Sequence, residues 1–538
     1  MNYLDLSNTK DRNLGRILQM QADAVGDNVY LLNDDKRLTF SETDRLVNSV
    51  ARGLADLGVG RGDRVAFYAN SSIDIILLTL AVSRLGAVWI PINGEYKGEW
   101  LKSTLIDSKP KVIVSDTRML PRLLEVLDDV PHDHLVLRDL GDNPVLPGAH
   151  KFDFLRSFPD APHDMSFIDY GDVSAVLWTS GTTGKSKGVM QSHNVWVHTA
   201  ERNAVRYATV PGDITYNVLP LYNSASWMMT IFRALFEGIG CANDPTFSAS
   251  EFWNRIRFYN ATQTFSLGAM HIYLWKQPPR PDDRDNPLRN AGMSPMPDDL
   301  IEPFCERFGI NQIAQGFGQS EIGNVISREP TNKRSPKPRI LGNVAGNIEL
   351  RLLDDDGNDV AVGEVGEFTV KPKKPHIMFE GYFENPEATA AAFTDDGWYR
   401  MGDLGRQDAD GDYVFVDRKK DAVRYAGRNI STMEVEQAIR AHPAVNECAV
   451  FGIKSEELDV ESELAANVIL NEGQELTAEA LARFVNDSAP YYFVPRYIEF
   501  VDSLPYTPTN KVQKFLLRER GTTAETWDRK AAGFELTR

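Results

Sequence analysis

The sequence is poor in cysteine: 538 residues hold three, Cys241, Cys305 and Cys448, an odd number spread far apart. No disulfide framework and no Cys-x-x-Cys zinc spacing can be drawn from them, and a reducing, cytoplasmic setting is expected. No apolar stretch approaches the ~18 uninterrupted residues that a membrane-spanning helix needs, so no integral membrane association is expected. The opening Met1-Asn2-Tyr3-Leu4-Asp5 lacks the basic and apolar regions of a signal peptide, and Leu536-Thr537-Arg538 is not a peroxisomal address. Positive charge is also short, with 58 Lys+Arg against 76 Asp+Glu and a net charge of −18. Such a field repels phosphate backbones and argues against a nucleic-acid partner. An anionic small molecule would need a local basic patch. Nor does any Cys-His or Ser-His-Asp pattern announce a nucleophile. What remains, at 42% hydrophobic and 25% charged residues, is a globular chain too long for one core.

Along the chain, Leu38-Thr39-Phe40 leads to Ser41, which stands three residues before Asp44 in the manner of a capping box. Leu46, Val47, Val50, Ala51, Leu54 and Leu57 then repeat with a helical period, and Gly58 is the expected stop. Arg64 to Tyr68 reads as a strand, Ile75 to Leu85 as a buried helix ending near Gly86, and Ala87 to Ile90 as the next strand. This is the βαβ pattern of a parallel sheet faced by helices. From about Gly342 to Asp412 short alternating strands are separated by turns such as Asp356-Gly357 and Gly363-Glu364, which predicts an all-β region. The acidic stretch Asp408 to Asp412 fails the spacing of a calcium loop and is expected to be a hairpin turn. After Asp417 a charged run opens an α+β pattern that includes a strand over Cys448 to Gly452.

The strongest local signal is Thr179-Ser180-Gly181-Thr182-Thr183-Gly184-Lys185-Ser186-Lys187-Gly188, entered from the apolar Ala175-Val176-Leu177-Trp178. Glycines let backbone N–H groups approach an anion, hydroxyls add donors and lysines add charge, so the loop suits polyphosphate. It is not a Walker A motif, because that pattern needs Gly where Thr179 stands. A second conspicuous feature is the basic cluster Arg418, Lys419, Lys420, Arg424 and Arg428, the local patch an acidic chain would need.

The loop resembles the signature T-S-G-T-T-G-x-P-K-G of the adenylate-forming superfamily, which includes acyl- and aryl-CoA synthetases, peptide-synthetase adenylation domains and beetle luciferases, with Ser186 in place of Pro. The likeness extends over nearly the whole chain. Phe317-Gly318-Gln319-Ser320-Glu321 is similar to Y-G-x-T-E, Gly397 to Gly405 to G-W-x-x-T-G-D-L-G with Met401 for Thr, and Pro505 to Lys514 to P-x-T-x-x-G-K-x-x-K/R with Asn510 for Gly. The resemblance implies an α/β fold with a β-barrel subdomain: a large N-terminal domain of parallel-rich sheets layered with helices (1–416), a hinge (417–421) pivoting at Asp417, and a small mobile α+β lid domain (422–538). It implies that Thr179, Ser180, Gly181, Thr182, Thr183, Gly184 and Lys187 hold the ATP phosphates, with Glu321 and Thr183 binding Mg²⁺. Phe317 would stack on adenine beside Gly292 and Gly318, Ser320 would bond phosphate, and Asp403 and Arg418 would hold the ribose. Lys511 would reach the acyl carboxylate and the α-phosphate. Arg424, Tyr425, Gly427 and Arg428 would line the coenzyme A tunnel. His193, Tyr222, Asn223, Gly268, Ser294 and Gly316 would form the acyl pocket, Tyr222 and Asn223 replacing Phe and His of the family's P-L-F-H segment.

The implied activity is ligation of a carboxylic acid to coenzyme A through an acyl-adenylate, and several motifs are most similar in wording to carnitine- and medium-chain-type CoA ligases. The departures at Ser186, Tyr222, Asn223, Met401 and Asn510 keep a second reading in view, a ligase that only converts a supplied acyl-adenylate into thioester. A nucleotide-binding protein without turnover is a third reading. The acceptor is coenzyme A or a carrier-protein thiol, and a homodimer is compatible with the sequence.

Overall fold

The structure is a computed structural model that describes residues 4–141, 145–179, 186–335, 337, 339–419, 423–425, 428–454, 462–506 and 512–536. The chain divides into two compact units: Met1–Glu349 with Lys371–Gly397, and Leu350–Val370 with Trp398–Arg538. Asp417 falls inside the second unit. A division by contact density and a pivot for rotation are different properties.

The first unit holds two seven-stranded sheets. One runs in the order Ala149–Lys151, His134–Arg138, Val112–Asp116, Arg64–Tyr68, Val88–Pro91, Val173–Thr179, Lys187–Ser192. Its neighbours pair in parallel except for the last two strands, which form an antiparallel hairpin. The other runs Gln312–Ala314, Asn290–Ser294, Gln263–Leu267, Ile214–Asn217, Gly240–Asn243, Val29–Asn33, Lys36–Thr39, again parallel up to a closing hairpin. The expected βαβ unit is present: Arg64–Tyr68 and Val88–Pro91 pair in parallel around the helix Ile73–Arg84. That helix is apolar on all sides and buried along nearly its whole length, as an interior helix must be. Its one buried charge, Arg84, is held by Asp44 and Asn48.

The helix Phe40–Asp56 starts two residues earlier than the sequence suggested. Thr39, not Ser41, is the cap: its hydroxyl accepts from Glu42 N at 3.1 Å, and the Glu42 carboxylate accepts from Thr39 N at 2.8 Å. Glu42 can close a reciprocal box that Asp44 is too far along to close. The stop at Gly58 is as expected, with φ of +75° just beyond the cap Leu57.

In the second unit the strands Gly366–Pro372, Tyr399–Gln407 and Tyr413–Arg418 form an antiparallel ladder. Asp408 to Asp412 is the hairpin turn expected there, Asp408 Oδ1 accepting from the N–H groups of Asp410 and Asp412 at 3.0 Å each. A four-stranded sheet, Val445–Lys454, Ser462–Leu470, Tyr497–Phe500 and Trp527–Asp528, packs against the helices Thr432–Arg440 and Ala478–Ser488 through Val435, Ile439, Leu481 and Val485. No helix among the described residues is long and apolar enough to cross a membrane.

Candidate active site

The glycine-rich loop springs from the hairpin Val173–Thr179/Lys187–Ser192, whose register ends with Thr179 opposite Lys187. Ser180 to Lys185 lie outside the described residues, so the expectations for Ser180, Gly181, Thr182, Thr183 and Gly184 rest on sequence alone. The loop's two stems are described. Thr179 Oγ1 donates to Lys187 O at 3.3 Å, and the Oγ of Ser186, where the family has Pro, is enclosed without a hydrogen-bond partner.

Strand Lys187–Ser192 is the last of its sheet, and the segment Phe379–Phe383 lies along its open edge. Met190 N donates to Gly381 O at 3.0 Å, Glu380 N to Met190 O at 2.8 Å, and Phe383 N to Gly188 O at 2.7 Å. This strap places Tyr382 between two residues expected to meet the nucleotide. The Tyr382 hydroxyl donates to Glu321 Oε1 at 3.2 Å, and the Lys187 ammonium lies 4.7 Å from the centre of the Tyr382 ring. Glu321 is fixed from the main chain as well, its carbonyl accepting from Phe379 N at 2.6 Å. Beside it, Ser320 Oγ and Ser224 Oγ are hydrogen-bonded at 3.0 Å, and the Gln191 amide donates to Ser320 O. Sequence reasoning missed Tyr382 and Gln191. Tyr382 stands three residues after the apolar Ile377-Met378-Phe379 and reads locally as core. Its position becomes visible only through the pairing of the strap with a strand nearly two hundred residues earlier in the chain.

Phe317, Ser320 and Glu321 ride on a tight hairpin, Gly316–Gln319 with Gly323–Ser327. Gly318 is obligatory there, because a Cβ on it would lie 1.7 Å from Gly323 O. The hairpin is tied back to strand Asn290–Ser294, where Ser294 Oγ accepts from Gly316 N at 3.0 Å. Gly292 in the same strand is small for another reason than nucleotide approach: a Cβ there would lie 2.1 Å from Tyr207 Oη and 2.5 Å from the Phe265 ring.

Among the acyl-pocket candidates, Asn223 is the N-cap of the short helix Ser224–Ser226, its side chain accepting from Ala225 N at 3.0 Å. Tyr222 is half-buried, and burial, then Glu95 and Tyr96, push its hydroxyl up to about 12, so it remains a neutral donor. Gly268, at φ +35°, leaves open space where a Cβ would stand. His193 is fully buried at the head of the helix His193–Ala204, where Leu14 N donates to its Nδ1 at 3.5 Å. Burial pulls it down to about 4, and no hydrogen bond joins it to Tyr222 or Asn223.

In the second unit, Asp403 and Arg418 face each other across the ladder Tyr399–Gln407/Tyr413–Arg418, Arg418 Nε standing 3.6 Å from the Asp403 carboxylate. Asp417 is buried and accepts three times: from Arg418 N at 2.7 Å, Thr432 N at 2.6 Å and Thr432 Oγ1 at 2.8 Å. Lys514 extends this network, donating to Thr432 Oγ1 at 2.6 Å and pairing with Glu436 at 2.8 Å. Of the basic cluster, Lys419 is taken up by Asp355 and Glu367, each at 3.0 Å. Arg424 and Tyr425 pair with Asn429 and Arg428 through their backbones; Lys420, Gly427 and Lys511 lie outside the described residues.

A single carboxylate held in place suits Mg²⁺, which prefers one or two carboxylates plus substrate phosphates to a cage of protein ligands. Glu321 fits that role, and among the described residues no cluster of three His, Cys, Asp or Glu side chains offers a different kind of metal centre.

Comparison with known proteins agrees with this layout. The family model described as AMP-binding enzyme matches residues 18–383, and the one described as AMP-binding enzyme C-terminal domain matches 434–511. The chain therefore belongs to the AMP-binding enzyme family. Among curated relatives, the crotonobetaine/carnitine–CoA ligase of Salmonella heidelberg strain SL476 is 28% identical over 514 residues, covering 94% of this chain and 98% of its own. The anthranilate CoA ligase AuaEII, solved with anthranoyl-AMP, superposes with a TM-score of 0.82 at 26% identity, over 97% of this chain and 98% of its own. ATP-bound MatB from Rhodopseudomonas palustris gives a TM-score of 0.82 at 24% identity over 94% and 99%, a likeness of fold.

Proposed function

We propose that this chain is an ATP-dependent, AMP-forming acyl-CoA ligase. The observation that carries the reading is the Lys187–Tyr382–Glu321 arrangement at the foot of the phosphate loop, inside the segment matched by the AMP-binding family. Two relatives named above are CoA ligases, and one was solved with an acyl-AMP.

In the first step a carboxylate oxygen attacks the α-phosphorus of ATP. The bond to the β-phosphate breaks, pyrophosphate leaves, and a mixed anhydride remains. The loop Thr179 to Gly184, Lys187, Ser320 and Lys511 would hold the phosphates and the charge that spreads over them, so catalysis is mostly positioning and electrostatics. Glu321 with Thr183 would hold Mg²⁺, which when bound supplies charge neutralisation at the phosphate oxygens. Phe317, Gly318 and Gly292 would flank adenine, and Asp403 with Arg418 would hold the ribose. In the second step the coenzyme A thiol, approaching past Arg424, Tyr425, Gly427 and Arg428, attacks the acyl carbonyl and AMP leaves. Rotation of the C-terminal domain about Asp417 would exchange Lys511 for the coenzyme A face between steps. Tyr222, Asn223, Gly268, Ser294 and Gly316 would line the acid, with His193 behind them. A cytoplasmic location belongs to the same proposal.

The test is pyrophosphate release with ATP, Mg²⁺ and a panel of acids, beside Lys511→Ala. Release that depends on the acid and falls about 100-fold or more in the variant is expected. Silence across the panel, in protein that still turns a supplied acyl-adenylate and coenzyme A into thioester, would replace this reading with the thioester-only ligase.

A further inference from the structure

Ile322 N donates to Gln319 O at 3.3 Å, so Ser320 and Glu321 are the two central residues of the turn that closes the hairpin Gly316–Gln319/Gly323–Ser327. That closing bond is at the long end of the normal range. It also leaves out the central peptide of the turn, the Ser320 carbonyl and the Glu321 N–H. These two groups point in opposite directions because the peptide is planar and trans. Rotating the unit turns the Glu321 Cα–Cβ bond, and with it the carboxylate expected to hold Mg²⁺. The reversed orientation would demand a positive φ at the second central residue, which suits Gly or Asn rather than Glu. Glu321 is not among the residues with positive φ.

The Gln191 amide grips this peptide, donating to Ser320 O. The other bonds around the turn hold different atoms. Ser224 Oγ meets Ser320 Oγ at 3.0 Å, Phe379 N donates to Glu321 O at 2.6 Å, and the Tyr382 hydroxyl donates to the Glu321 carboxylate at 3.2 Å.

Gln191 is fully buried on the strand Lys187–Ser192. Its backbone is held independently of its side chain, by the ladder to Val173–Thr179 and by Ser174 Oγ, which donates to Gln191 O at 3.2 Å. Lys187 and Gln191 stand four residues apart on this strand, and side chains at even spacing share a face of the pleat. One straight element therefore carries the ammonium expected at the phosphates and, about 13 Å further along, the amide that sets the carboxylate turn.

We propose that Gln191 is a positioning residue for the adenylation step. It holds the central peptide of the Ser320–Glu321 turn in the orientation that directs the Glu321 carboxylate to the nucleotide's Mg²⁺, and it acts through the main chain of Ser320. The inference rests on the ligase reading and adds to it a residue that none of the recognised motifs contains.

The experiment uses Gln191→Met, which keeps length and bulk and loses the donor. Three quantities are compared with wild type: the Mg²⁺ midpoint for calorimetric binding of a non-hydrolysable ATP analogue, acid-dependent pyrophosphate release, and thioester formation from a supplied acyl-adenylate and coenzyme A. The last of these has no triphosphate for the metal to bridge. The variant is expected to raise the Mg²⁺ midpoint about fivefold, the worth of one neutral hydrogen bond, to recover pyrophosphate release at saturating Mg²⁺, and to form thioester near the wild-type rate. An unchanged Mg²⁺ midpoint would overturn the inference. So would an equal fall in both half-reactions, which is what loosened packing alone produces. If the variant lacks a cooperative thermal transition, crystal structures of the wild type with and without the Mg²⁺-bound analogue decide. The Ser320 carbonyl should face the Gln191 amide in the bound form, and a carbonyl turned away there would overturn the inference. Wild-type protein that binds the analogue with Mg²⁺ yet releases no pyrophosphate with any acid would overturn the ligase reading, while the Mg²⁺ midpoint would still decide the role of Gln191.

Discussion

Replacing Tyr382 by Phe removes one atom and tests the hydrogen bond of its hydroxyl to Glu321. The hydroxyl donates to Glu321 Oε1 at 3.2 Å, towards the long end of the normal range. A hydrogen bond to a charged group is worth about 1.5–3 kcal/mol, and the length argues for the lower figure, close to a tenfold effect. The ring stays, so the Lys187 ammonium keeps its contact at 4.7 Å. Tyr382→Leu removes both, adding about 0.5–2 kcal/mol for the cation–π contact, for a total of roughly 30- to 300-fold. The main-chain bonds that hold the strap to strand Lys187–Ser192 do not involve the side chain, so thermal stability should change little in the Phe variant. The assay is calorimetric binding of a non-hydrolysable ATP analogue across a Mg²⁺ titration, with acid-dependent pyrophosphate release measured in parallel. Tyr382→Phe should shift the Mg²⁺ midpoint upwards and weaken nucleotide binding about tenfold, and Tyr382→Leu should weaken it further even at saturating Mg²⁺. Identical Mg²⁺ midpoints in wild type and Tyr382→Phe, or indistinguishable Phe and Leu variants, would refute the idea that Tyr382 sets both Glu321 and Lys187.

Three further outcomes follow from the geometry. Gly318→Ala should cost about 3 kcal/mol or more because its new Cβ meets Gly323 O at 1.7 Å, whereas Gly346→Ala, with nothing within 4 Å, should be nearly silent in a thermal melt. His193 and His271 are buried with pKa values drawn down to about 4 from 6.5, so the unfolded chain binds more protons between those values and stability is lost as the pH is lowered through that window. Each should cost roughly 2 kcal/mol on going from pH 7 to pH 5, visible as a drop in urea midpoint, and a flat profile would contradict the burial. Thr39→Ala should lose about 1 kcal/mol by breaking the capping box, while Ser41→Ala should stay within about 0.5 kcal/mol; the reverse order in chemical denaturation would restore Ser41 as the cap.

The parts of this protein that were legible in the sequence are those whose determinants are local. The helix Phe40–Asp56 shows its period and its Gly58 stop, the βαβ unit around Ile73–Arg84 shows apolar runs between turn residues, and the Asp408 to Asp412 turn shows its acids and glycine. The cap of Phe40–Asp56 was placed two residues late because either Thr39 or Ser41 satisfies the pattern, and only the reach of the Glu42 carboxylate decides between them. The site divides in the same way. Phe317 to Glu321 announces itself as one short string, but Tyr382, which holds Glu321, is 61 residues away and looks like core. His193, expected at the acyl pocket, meets Leu14 N of a neighbouring helix, a contact that its own string of sequence does not show. Which face a side chain takes is set by packing, which no single window of sequence contains.

The strap Phe379–Phe383 covers the last strand of a seven-stranded sheet, and that cover has a practical side. An open strand edge invites pairing with a second chain, so the strap shields the sheet whatever the substrate. Because the same five residues carry Tyr382, a cover that has nothing to do with catalysis also holds a contact at the site proposed for the nucleotide. Engineers who exchange this segment to change activity should expect the first casualty to be solubility. The safer route leaves its backbone pairing intact and varies only side chains that point away from strand Lys187–Ser192.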